Sequence, residues 1–426
     1  MRILILGSGG RECTLAWKLA QSPQCDQLWI APGNAGTRQY GTNVAIHPED
    51  ADAVHAFIRK QAVDLVVIGP EAPLVDGLVD ALRSHPENAD LILVGPSRAG
   101  ALLEGSKAFA KEFMLRHQIP TAQYLEVTTH NLESGKAFID RQPTPIVLKA
   151  DGLAAGKGVL ILDDREEAKG ELQAMLQGKF GDAGSKVVIE DFLAGIEFSV
   201  FVLTDGSDYL LLPEAKDYKR IGEGDTGLNT GGMGAISPVS FMDETLKEKV
   251  IRRIIEPTLA GIRSENIDYQ GFIFFGLINV QGDPYVIEYN CRLGDPETEV
   301  ILPRLKNDLV ELFEAMHTRR LKQQSIQVDA RYAATVMLVA GGYPGSYAKG
   351  DVITGLDRVS ASLILHAGTK QTGDQVVTNG GRVIAITSFG TSQQSALEQS
   401  YESINRINFQ GMYYRRDIGF DLSQDD

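Results

Sequence analysis

A short glycine-rich segment with two lysines is the part of the sequence best suited to bind phosphate. It spans residues 149–158 (KADGLAAGKG) and has three apolar residues on each side, which predicts a loop between two β-strands. Glycine lets backbone N–H groups approach phosphate oxygens, and Lys149 and Lys157 add positive charge. The segment is not a Walker A loop, because its glycine spacing is one residue short and Gly158 stands where Ser or Thr is needed. It is either a phosphate-binding loop of another class or a flexible hairpin tip.

An acid and an amide stand two residues apart on a predicted strand. The side chains of Glu288 and Asn290 therefore leave the same face, with their Cα atoms about 6.6 Å apart. Carboxylate and amide oxygens suit a hard cation such as Mg²⁺, with phosphate and water completing its shell. A solvent-facing strand end is the alternative.

The residues after that strand, NCRLGDPETE, are densely charged. Arg292 is the natural bidentate partner for a small carboxylate or phosphate, and Asp295 lies close by in the sequence. Gly-Asp-Pro is also typical of turns, so a plain charged turn is the alternative. Cys291 alternates away from the acid–amide pair, which predicts a packed rather than a nucleophilic thiol.

Three further charged residues could hold a nucleotide. Glu190 and Glu197 bracket a predicted hairpin turn at Ala194-Gly195, where they could grip an adenine amino group and ribose hydroxyls. Lys107 lies in the first turn of a helix capped by Ser106, where the helix dipole disfavours a cation. A bound polyphosphate would explain this placement. Exposed surface side chains are the alternative for all three.

The first hundred residues alternate between continuous apolar strands and helices, which predicts a doubly wound parallel sheet. The strands are predicted at 2–7, 28–32, 64–70 and 91–96, and the helices at 15–19, 50–61 and 74–82. Ligands of such sheets bind beyond the carboxyl ends of the strands. Gly9 and Gly10 lie at one such end, but Glu12 stands where a dinucleotide fingerprint needs its last glycine, which disfavours a dehydrogenase.

The rest of the chain reads as hairpins and helices followed by a third unit from about residue 331. Hairpins are predicted at 187–203 and 271–290, a turn at 205–206, helices at 107–118, 243–264, 305–316 and 393–407, and strands at 333–340, 363–368 and 382–390. The segment 222–235 contains six glycines, so it is either a mobile functional loop or a disordered insert.

Composition restricts the class of protein. The 426 residues predict two to four domains, and 43% hydrophobic with 23% charged residues is typical of a soluble protein. A net charge of −15 disfavours nucleic acid as a partner. The three cysteines lack metal or disulfide spacing, the N-terminal apolar run is too short for a signal peptide, and no membrane segment is present. We therefore expect a cytoplasmic protein that binds neither membranes nor nucleic acids.

Taken in order, these features resemble the ATP-grasp family, in which ATP lies between two β-structured lobes. Within it, the chain is most similar to the glycinamide ribonucleotide synthetase (phosphoribosylamine–glycine ligase) family. The similarity rests on the motifs GSGGRE, APGNAGT, GPEAPL, LEGSK, KADGLAAGKGV, NTGGMGA, NCRLGDPET, HAGTK and TNGGRV, which run from residue 7 to residue 383.

The resemblance implies an α/β and α+β architecture of three domains. These are an N-terminal parallel α/β domain (1–103), an ATP-grasp domain (104–328) with a mobile lid at about 121–193, and a small mixed β/α domain (329–426). It also implies ligation of glycine to 5-phosphoribosylamine through glycyl phosphate, with ATP and Mg²⁺ or Mn²⁺, in purine synthesis. The glycine-rich segments at 152–158 and 222–234 would close over the site. A monomer is expected, with a dimer as the alternative.

The resemblance also assigns residues. For ATP they are Lys107, Lys149, Gly152, Gly156, Lys157, Gly158, Glu190, Asp191, Phe192, Leu193 and Glu197. Glu288 and Asn290 correspond to the metal ligands. Arg292 and Asp295 are candidates for holding glycine, and with Lys149 they form the predicted catalytic set. Candidates for phosphoribosylamine are Gly9, Gly10, Arg11 and Glu71. The chain departs from the family pattern at Cys13, Tyr218, Leu228 and Leu293.

Two rival functions remain open at this point. One is an ATP-grasp ligase that joins a different acid and amine, and the other is a nucleotide-binding regulator without catalysis. The regulator is disfavoured because the chain keeps every predicted lysine and metal ligand.

Overall fold

A computed structural model describes residues 1–152 and 158–422, and its N-terminal part is a parallel five-stranded sheet. The strands are β1 (Arg2–Gly7), β2 (Gln27–Pro32), β3 (Thr42–Asn43), β4 (Leu65–Ile68) and β5 (Ile92–Val94). Their order is β3-β2-β1-β4-β5, and every pair is parallel. The predicted parallel α/β sheet is therefore confirmed.

Five helices accompany this sheet: α1 (Gly10–Leu19), α2 (Ala51–Gln61), α3 (Glu71–Val75), α4 (Leu78–Arg83) and α5 (Arg98–Gly105). The single helix predicted over 74–82 is wrong. Gly77 has a φ of +88° and separates α3 from α4, because a left-handed residue cannot continue an α-helix.

The next part of the chain begins with α6 (Lys107–Arg116), whose Phe113 and Met114 belong to the main hydrophobic core, and continues as a small lobe. The elements of the lobe are β6 (Tyr124–Val127), α7 (Leu132–Arg141), β7 (Ile146–Ala150), β8 (Val159–Leu162), α8 (Arg165–Ala174) and β9 (Val187–Asp191). The four strands make an antiparallel sheet in the order β6-β9-β7-β8. Residues such as Ile139, Leu148 and Leu172 give this sheet and its helices a hydrophobic core of their own.

A second antiparallel sheet follows. The strands from this region are β10 (Ile196–Thr204), β11 (Tyr209–Leu211), β12 (Lys216–Asp217), β13 (Arg220–Gly222), β14 (Thr226–Asn229), β15 (Gly234–Ser237), β16 (Gly271–Val280) and β17 (Asp283–Asn290). The sheet order is β11-β10-β16-β17, and β16 with β17 is the predicted hairpin.

Four helices belong to this region: α9 (Glu244–Val250), α10 (Glu256–Ser264), α11 (Thr298–Arg304) and α12 (Leu309–His317). A helical segment at Ile251–Ile255 joins α9 to α10, so the prediction over 243–264 holds. The helix predicted from residue 305 instead begins at Leu309, because the side chain of Asp308 caps it by accepting from the N–H of Val310. The sequence patterns did not indicate α11.

The hairpin predicted around Ala194-Gly195 is wrong. Strand β9 pairs with β6 and β7, whereas β10 pairs with β11 and β16, so the two strands belong to different sheets. Residues 192–195 are the link between these sheets. A Cβ at Gly195 would come within 2.2 Å of the carbonyl oxygen of Asn279, so only glycine fits where the chain passes β16.

The last sheet combines distant parts of the chain. Its C-terminal elements are β18 (Tyr332–Val339), β19 (Leu363–His366), β20 (Thr369–Thr372), β21 (Gln375–Thr378), β22 (Arg382–Gly390) and α13 (Gln393–Ile404). The sheet order is β12-β15-β18-β22-β19, whereas β20 and β21 form a separate hairpin. One sheet thus takes strands from both sides of residue 329. None of the helices in 1–152 and 158–422 is long and apolar enough to cross a lipid bilayer.

The glycine-rich segment at 222–234 is neither a long loop nor an insert without structure. Strands β13 and β14 form a hairpin there, and the C-terminal part of the chain holds it. Arg415 is fully buried and pairs with Asp225 at 2.5 Å and with Asp417 at 2.8 Å. Polar contacts to a distant segment, which sequence patterns do not reveal, therefore hold this hairpin.

Candidate active site

Lys107 is the first residue of α6, as predicted, and Ser106 caps that helix by accepting from the N–H of Phe109 at 3.1 Å. The Lys107 ammonium donates to the carbonyl oxygen of Gly152 at 3.2 Å. Burial lowers the pKa of Lys107, and the charge of Glu288 on the other sheet opposes the shift. The helix thus places this ammonium beside the glycine-rich segment and within the field of the predicted metal ligand.

Lys149 lies on β7, where the strand register brings it diagonally across from Glu190 on β9. Its ammonium lies 3.0 Å from Glu190 Oε2, and only 6% of the residue is exposed. The same ammonium donates to the carbonyl oxygen of Ile287 at 3.3 Å, one residue before Glu288 on β17. Lys149 therefore joins the two sheets next to the acid–amide pair.

A second lysine, Lys111, shares the Glu190 carboxylate. Its ammonium lies 3.1 Å from Oε2 and donates to the hydroxyl of Thr121 at 2.7 Å. Burial lowers the pKa of Lys111 to about 8 against the attraction of Glu190. Burial opposes ionisation of Glu190, but the charges of Lys149 and Lys111 prevail and hold its pKa below the usual value.

The predicted adenine-binding residues lie at the end of β9 and in the link between the sheets. Phe192 is 43% exposed and Leu193 is half-buried. Glu190 Oε1 and Asp191 Oδ1 are buried without a hydrogen-bond partner among the described residues. Burial and then the charge of Glu190 raise the pKa of Asp191. Two buried oxygens without donors fit a ligand that supplies N–H or O–H groups, as a nucleoside does.

Glu197 lies on the other side of this link, at the start of β10. Its Oε2 accepts from Lys219 at 2.8 Å, and Lys219 also donates to Asp217 at 2.9 Å. The charge of Lys219 lowers the pKa of Glu197, against the effect of burial. Glu190 and Glu197 are thus brought to one region, though not across a hairpin.

Strand β17 carries the predicted metal ligands. Glu288 pairs with Gly276 and Asn290 with Phe274 in the strand register, so both lie on the same pair of strands. The carboxamide of Asn290 is satisfied when its nitrogen faces Glu104 Oε1 at 3.3 Å. That orientation turns its oxygen away from this acceptor. One carboxylate and one amide oxygen are donors of the type that hard divalent cations take, so the residues fit such an ion.

Arg292 follows β17 and lies between two carboxylates. Its Nη2 is 2.7 Å from Glu104 Oε1, and its Nε is 3.5 Å from Glu71 Oε2. The Nε group is buried and donates no hydrogen bond to the described residues. Burial disfavours the charge, but Glu104 and Glu71 prevail and raise the pKa of Arg292. For Glu71, burial is outweighed by Arg292 and Arg11, and its pKa is lowered.

Asp295 connects the N-terminal and C-terminal parts of the chain. Its Oδ2 accepts from the backbone N–H of Arg11 at 3.1 Å, and its Oδ1 lies 2.8 Å from Arg382 Nη2. Burial opposes ionisation, but Arg382 and Arg11 prevail and lower its pKa. Asp295 is therefore tied to Arg11, another predicted site residue.

The glycines before α1 leave room for neighbouring carboxyl groups. A Cβ at Gly9 would lie 3.0 Å from Glu12 Oε2 and 3.1 Å from Asp295 Oδ2. A Cβ at Gly10 would come within 2.2 Å of Glu299 Oε1, which is too close for any side chain. Both glycines thus allow α1 to begin directly against the acidic segment that follows β17.

The predicted phosphate loop is described only at its ends. Gly156 and Lys157 lie outside the described residues. Gly158 accepts from the N–H of Ala150 at 2.8 Å, which closes the base of the segment, and a Cβ at Gly152 would lie 3.0 Å from Ala183.

Three domain models match this chain in order. They are described as phosphoribosylglycinamide synthetase N domain (residues 1–104), ATP-grasp (A) domain (105–298) and C domain (333–421). A phosphoribosylamine–glycine ligase of Vibrio cholerae is 48% identical over 426 residues, which cover 99% of this chain and 98% of that protein. The chain belongs to the phosphoribosylglycinamide synthetase family.

Solved structures agree with this membership. A phosphoribosylamine–glycine ligase of Thermotoga maritima superposes with a TM-score of 0.85 at 36% identity, covering 98% of this chain and 100% of that one. A biotin carboxylase domain of Hydrogenobacter thermophilus, solved with MgADP, gives a TM-score of 0.72 at 16% identity, covering 100% of this chain and 94% of that one. The second likeness shows the ATP-grasp fold alone. ATP-grasp enzymes use ATP and a divalent metal ion.

Sequence reasoning about this phosphoribosylglycinamide synthetase family member missed four charged residues. They are Glu104, Lys111, Lys219 and Arg382, each paired with a predicted site residue. Lys111 could have been found, because it lies one helical turn after Lys107. Glu104 and Arg382 lie in the motifs LEGSK and TNGGRV, but those motifs do not indicate their partners, which are far away in the sequence. No local pattern marks Lys219 as a partner of Glu197.

The four departures from the family pattern lie in different surroundings. Cys13, Tyr218 and Leu293 are buried, whereas Leu228 is 65% exposed on β14. The Tyr218 hydroxyl donates to Asp421 Oδ1 at 2.8 Å, near the end of the chain.

Proposed function

We propose that this chain is a phosphoribosylamine–glycine ligase that joins glycine to 5-phosphoribosylamine with ATP. The observation that carries the proposal is the contact between the Lys149 ammonium and the carbonyl oxygen of Ile287 at 3.3 Å. It brings a lysine of the small lobe to the strand that carries Glu288 and Asn290, so cationic and anionic groups from two sheets face the same place.

The nucleotide lies between the two sheets in this proposal. Lys107 and Lys149 neutralise its phosphates, and the glycines at 152, 156 and 158 with Lys157 cover them. Residues 190–193 hold the adenine, for which the unpartnered Glu190 Oε1 is an acceptor, and Glu197 accepts from the ribose. The small lobe has its own hydrophobic core, which supports movement of residues 121–193 as a lid.

Glu288 and Asn290 would hold Mg²⁺ or Mn²⁺ beside the phosphates. The ion, when bound, supplies positive charge that stabilises the transferring phosphoryl group.

Arg292 orients the glycine carboxylate, and its buried Nε–H is available as a donor. A carboxylate oxygen of glycine attacks the γ-phosphorus of ATP, which forms glycyl phosphate and releases ADP. The amine of phosphoribosylamine then attacks the carbonyl carbon, phosphate leaves, and the amine loses a proton. Asp295 accepts a hydrogen bond from the backbone N–H of Arg11. In this proposal it thereby keeps the glycine site next to the phosphoribosylamine site.

Gly9, Gly10, Arg11 and Glu71 form the proposed phosphoribosylamine site. They lie at the carboxyl ends of parallel strands, where ligands of such sheets bind. Glu71 Oε2 also lies 3.5 Å from Arg292 Nε, which supports neighbouring sites for the two substrates.

The domain bounds 1–103, 104–328 and 329–426, a cytoplasmic location and a monomeric state belong to the same proposal. Three cysteines without a disulfide among the described residues support a reducing compartment. Light scattering during gel filtration measures the molar mass and so tests whether the protein is a monomer.

Release of ADP, measured with glycine and freshly made phosphoribosylamine each omitted in turn, tests the function. We expect ADP to form only when both are present. ADP release that persists without glycine, or that increases when another acid replaces it, contradicts the assignment and favours a ligase for a different pair of substrates.

A further inference from the structure

Glu104 is a buried carboxylate that none of the proposed steps uses. It lies near the end of α5, three residues before Lys107, and only 6% of its side chain is exposed. We propose that Glu104 is a positioning residue. It fixes the orientation of two side chains at once, the metal ligand Asn290 and the carboxylate-binding Arg292. This inference rests on the proposed function of the site.

One oxygen of Glu104 fixes the backbone after β17. Oε2 accepts from the N–H of Cys291 at 2.8 Å and from its thiol at 3.2 Å. The end of the strand is thereby fastened to α5, because a buried N–H that loses its acceptor is costly.

The other oxygen fixes the two functional side chains. Oε1 lies 2.7 Å from Arg292 Nη2 and 3.3 Å from the carboxamide nitrogen of Asn290. One atom thus determines which edge of the guanidinium and which atom of the carboxamide remain for ligands. The Arg292 Nε–H donates no hydrogen bond to the described residues, and the Asn290 oxygen faces away from Glu104. These are the donor and the acceptor that the proposed chemistry needs.

This geometry explains why a carboxylate is required at position 104. A glutamine has the same shape but only one acceptor oxygen, so its N–H2 group must face either Arg292 and Asn290 or the N–H of Cys291, all of which are donors. The substitution Glu104→Gln therefore keeps the packing, removes the charge that faces Arg292 and breaks one of the two sets of contacts. A role limited to packing would tolerate the change.

Two measurements test the proposal in Glu104→Gln. We expect the KM for glycine to rise roughly 10-fold to 100-fold while the KM for ATP stays within about twofold. We also expect weaker binding of Mn²⁺ to the ADP-loaded protein, measured from the electron paramagnetic resonance signal of free Mn²⁺, which does not depend on turnover. A lower kcat and melting temperature with unchanged glycine KM and Mn²⁺ binding would overturn the proposal.

Glu112→Gln is the matched control, because Glu112 lies on the adjacent helix with 57% of its side chain exposed. It should leave all these quantities unchanged. If Glu104→Gln does not fold, Glu104→Asp keeps the charge on a shorter side chain and should show both effects in weaker form. Normal glycine KM and Mn²⁺ binding in that variant would equally overturn the proposal.

A double-variant cycle separates action through Arg292 from an independent effect. In an Arg292→Lys background, Glu104→Gln should change the KM for glycine little. If instead the two substitutions raise this KM by the product of their separate effects, Glu104 does not act through Arg292. Failure of the proposed function looks different, because wild-type protein would then release no ADP that depends on glycine and phosphoribosylamine.

Discussion

Lys149 Nζ lies 3.0 Å from Glu190 Oε2 and forms a buried ion pair across the small sheet. Lys111 approaches the same oxygen at 3.1 Å, so Glu190 faces two ammonium groups. The excess positive charge suits a polyphosphate, which would attract Lys149 while Lys111 keeps Glu190 ionised.

The substitution Lys149→Ala should abolish ADP formation. It removes the charge that faces the phosphates and the contact to β17, and we expect kcat/KM to fall roughly 1000-fold or more. A coupled assay of ADP release measures the change. Lys186→Ala is the control, since that lysine lies beside the same sheet with 34% of its side chain exposed. Turnover near the wild-type rate in Lys149→Ala would count heavily against the site.

The substitution Glu288→Ala should also abolish ADP formation at millimolar Mg²⁺, because it removes the only charged protein ligand proposed for the ion. A second readout is thermal stabilisation by ATP with Mg²⁺, which should disappear in the variant. Asp283→Ala changes a residue at the start of the same strand whose side chain is 44% exposed, and this variant should keep both properties. The assignment is refuted if Glu288→Ala responds to Mg²⁺ as the wild type does.

Glu297 should make the protein less stable as the pH rises through neutrality. Burial and then the charge of Asp217 raise the pKa of this carboxyl to about 7. Its folded pKa lies above its unfolded value, so the stabilisation is complete below the unfolded pKa and is lost as the pH passes 7. Between pH 5 and pH 8, the free energy of unfolding of Glu297→Gln should therefore rise relative to that of the wild type by on the order of 3 kcal/mol.

Urea unfolding of both proteins at the two pH values measures that difference. Glu244→Gln is the control, since its side chain is 90% exposed. Equal changes in wild type and Glu297→Gln would show that Glu297 does not titrate as described.

His366 should have the opposite pH dependence. Its ring lies between the N-terminal and C-terminal parts, and burial lowers its pKa to about 4. A base with a lowered folded pKa contributes stability above the unfolded pKa of about 6.5, and that stability is lost as the pH falls through 4. Between pH 7 and pH 4, we expect the free energy of unfolding of the wild type to fall by on the order of 3 kcal/mol more than that of His366→Asn.

Denaturant unfolding across that range tests the prediction, with the exposed His130→Asn as control. A His366→Asn protein that loses as much stability as the wild type would contradict it.

Periodicity in the sequence predicted the parallel sheet, because continuous apolar runs need cover on both faces. It failed at residues 194–195, where two strands joined by a short link looked like a hairpin. Only the partners of those strands, which come from elsewhere in the chain, decide that β9 and β10 belong to different sheets.

The site shows the same division. The placement of Glu288 and Asn290 at alternate positions of one strand could be predicted from the sequence pattern. The contacts of Glu104 could not, since its partners Cys291 and Arg292 become neighbours only when α5 packs beside β17. Family resemblance supplied the roles, but it did not indicate which buried charges support them.

Strand β15 pairs on one side with β12 and on the other with β18, which lies far later in the chain. During synthesis on the ribosome, the edge of β15 therefore stays unpaired until β18 has emerged. A gene product that stops at residue 328 would keep this edge permanently open, and open strand edges of two molecules can join. Premature termination should thus yield aggregating fragments rather than a working enzyme that lacks one module.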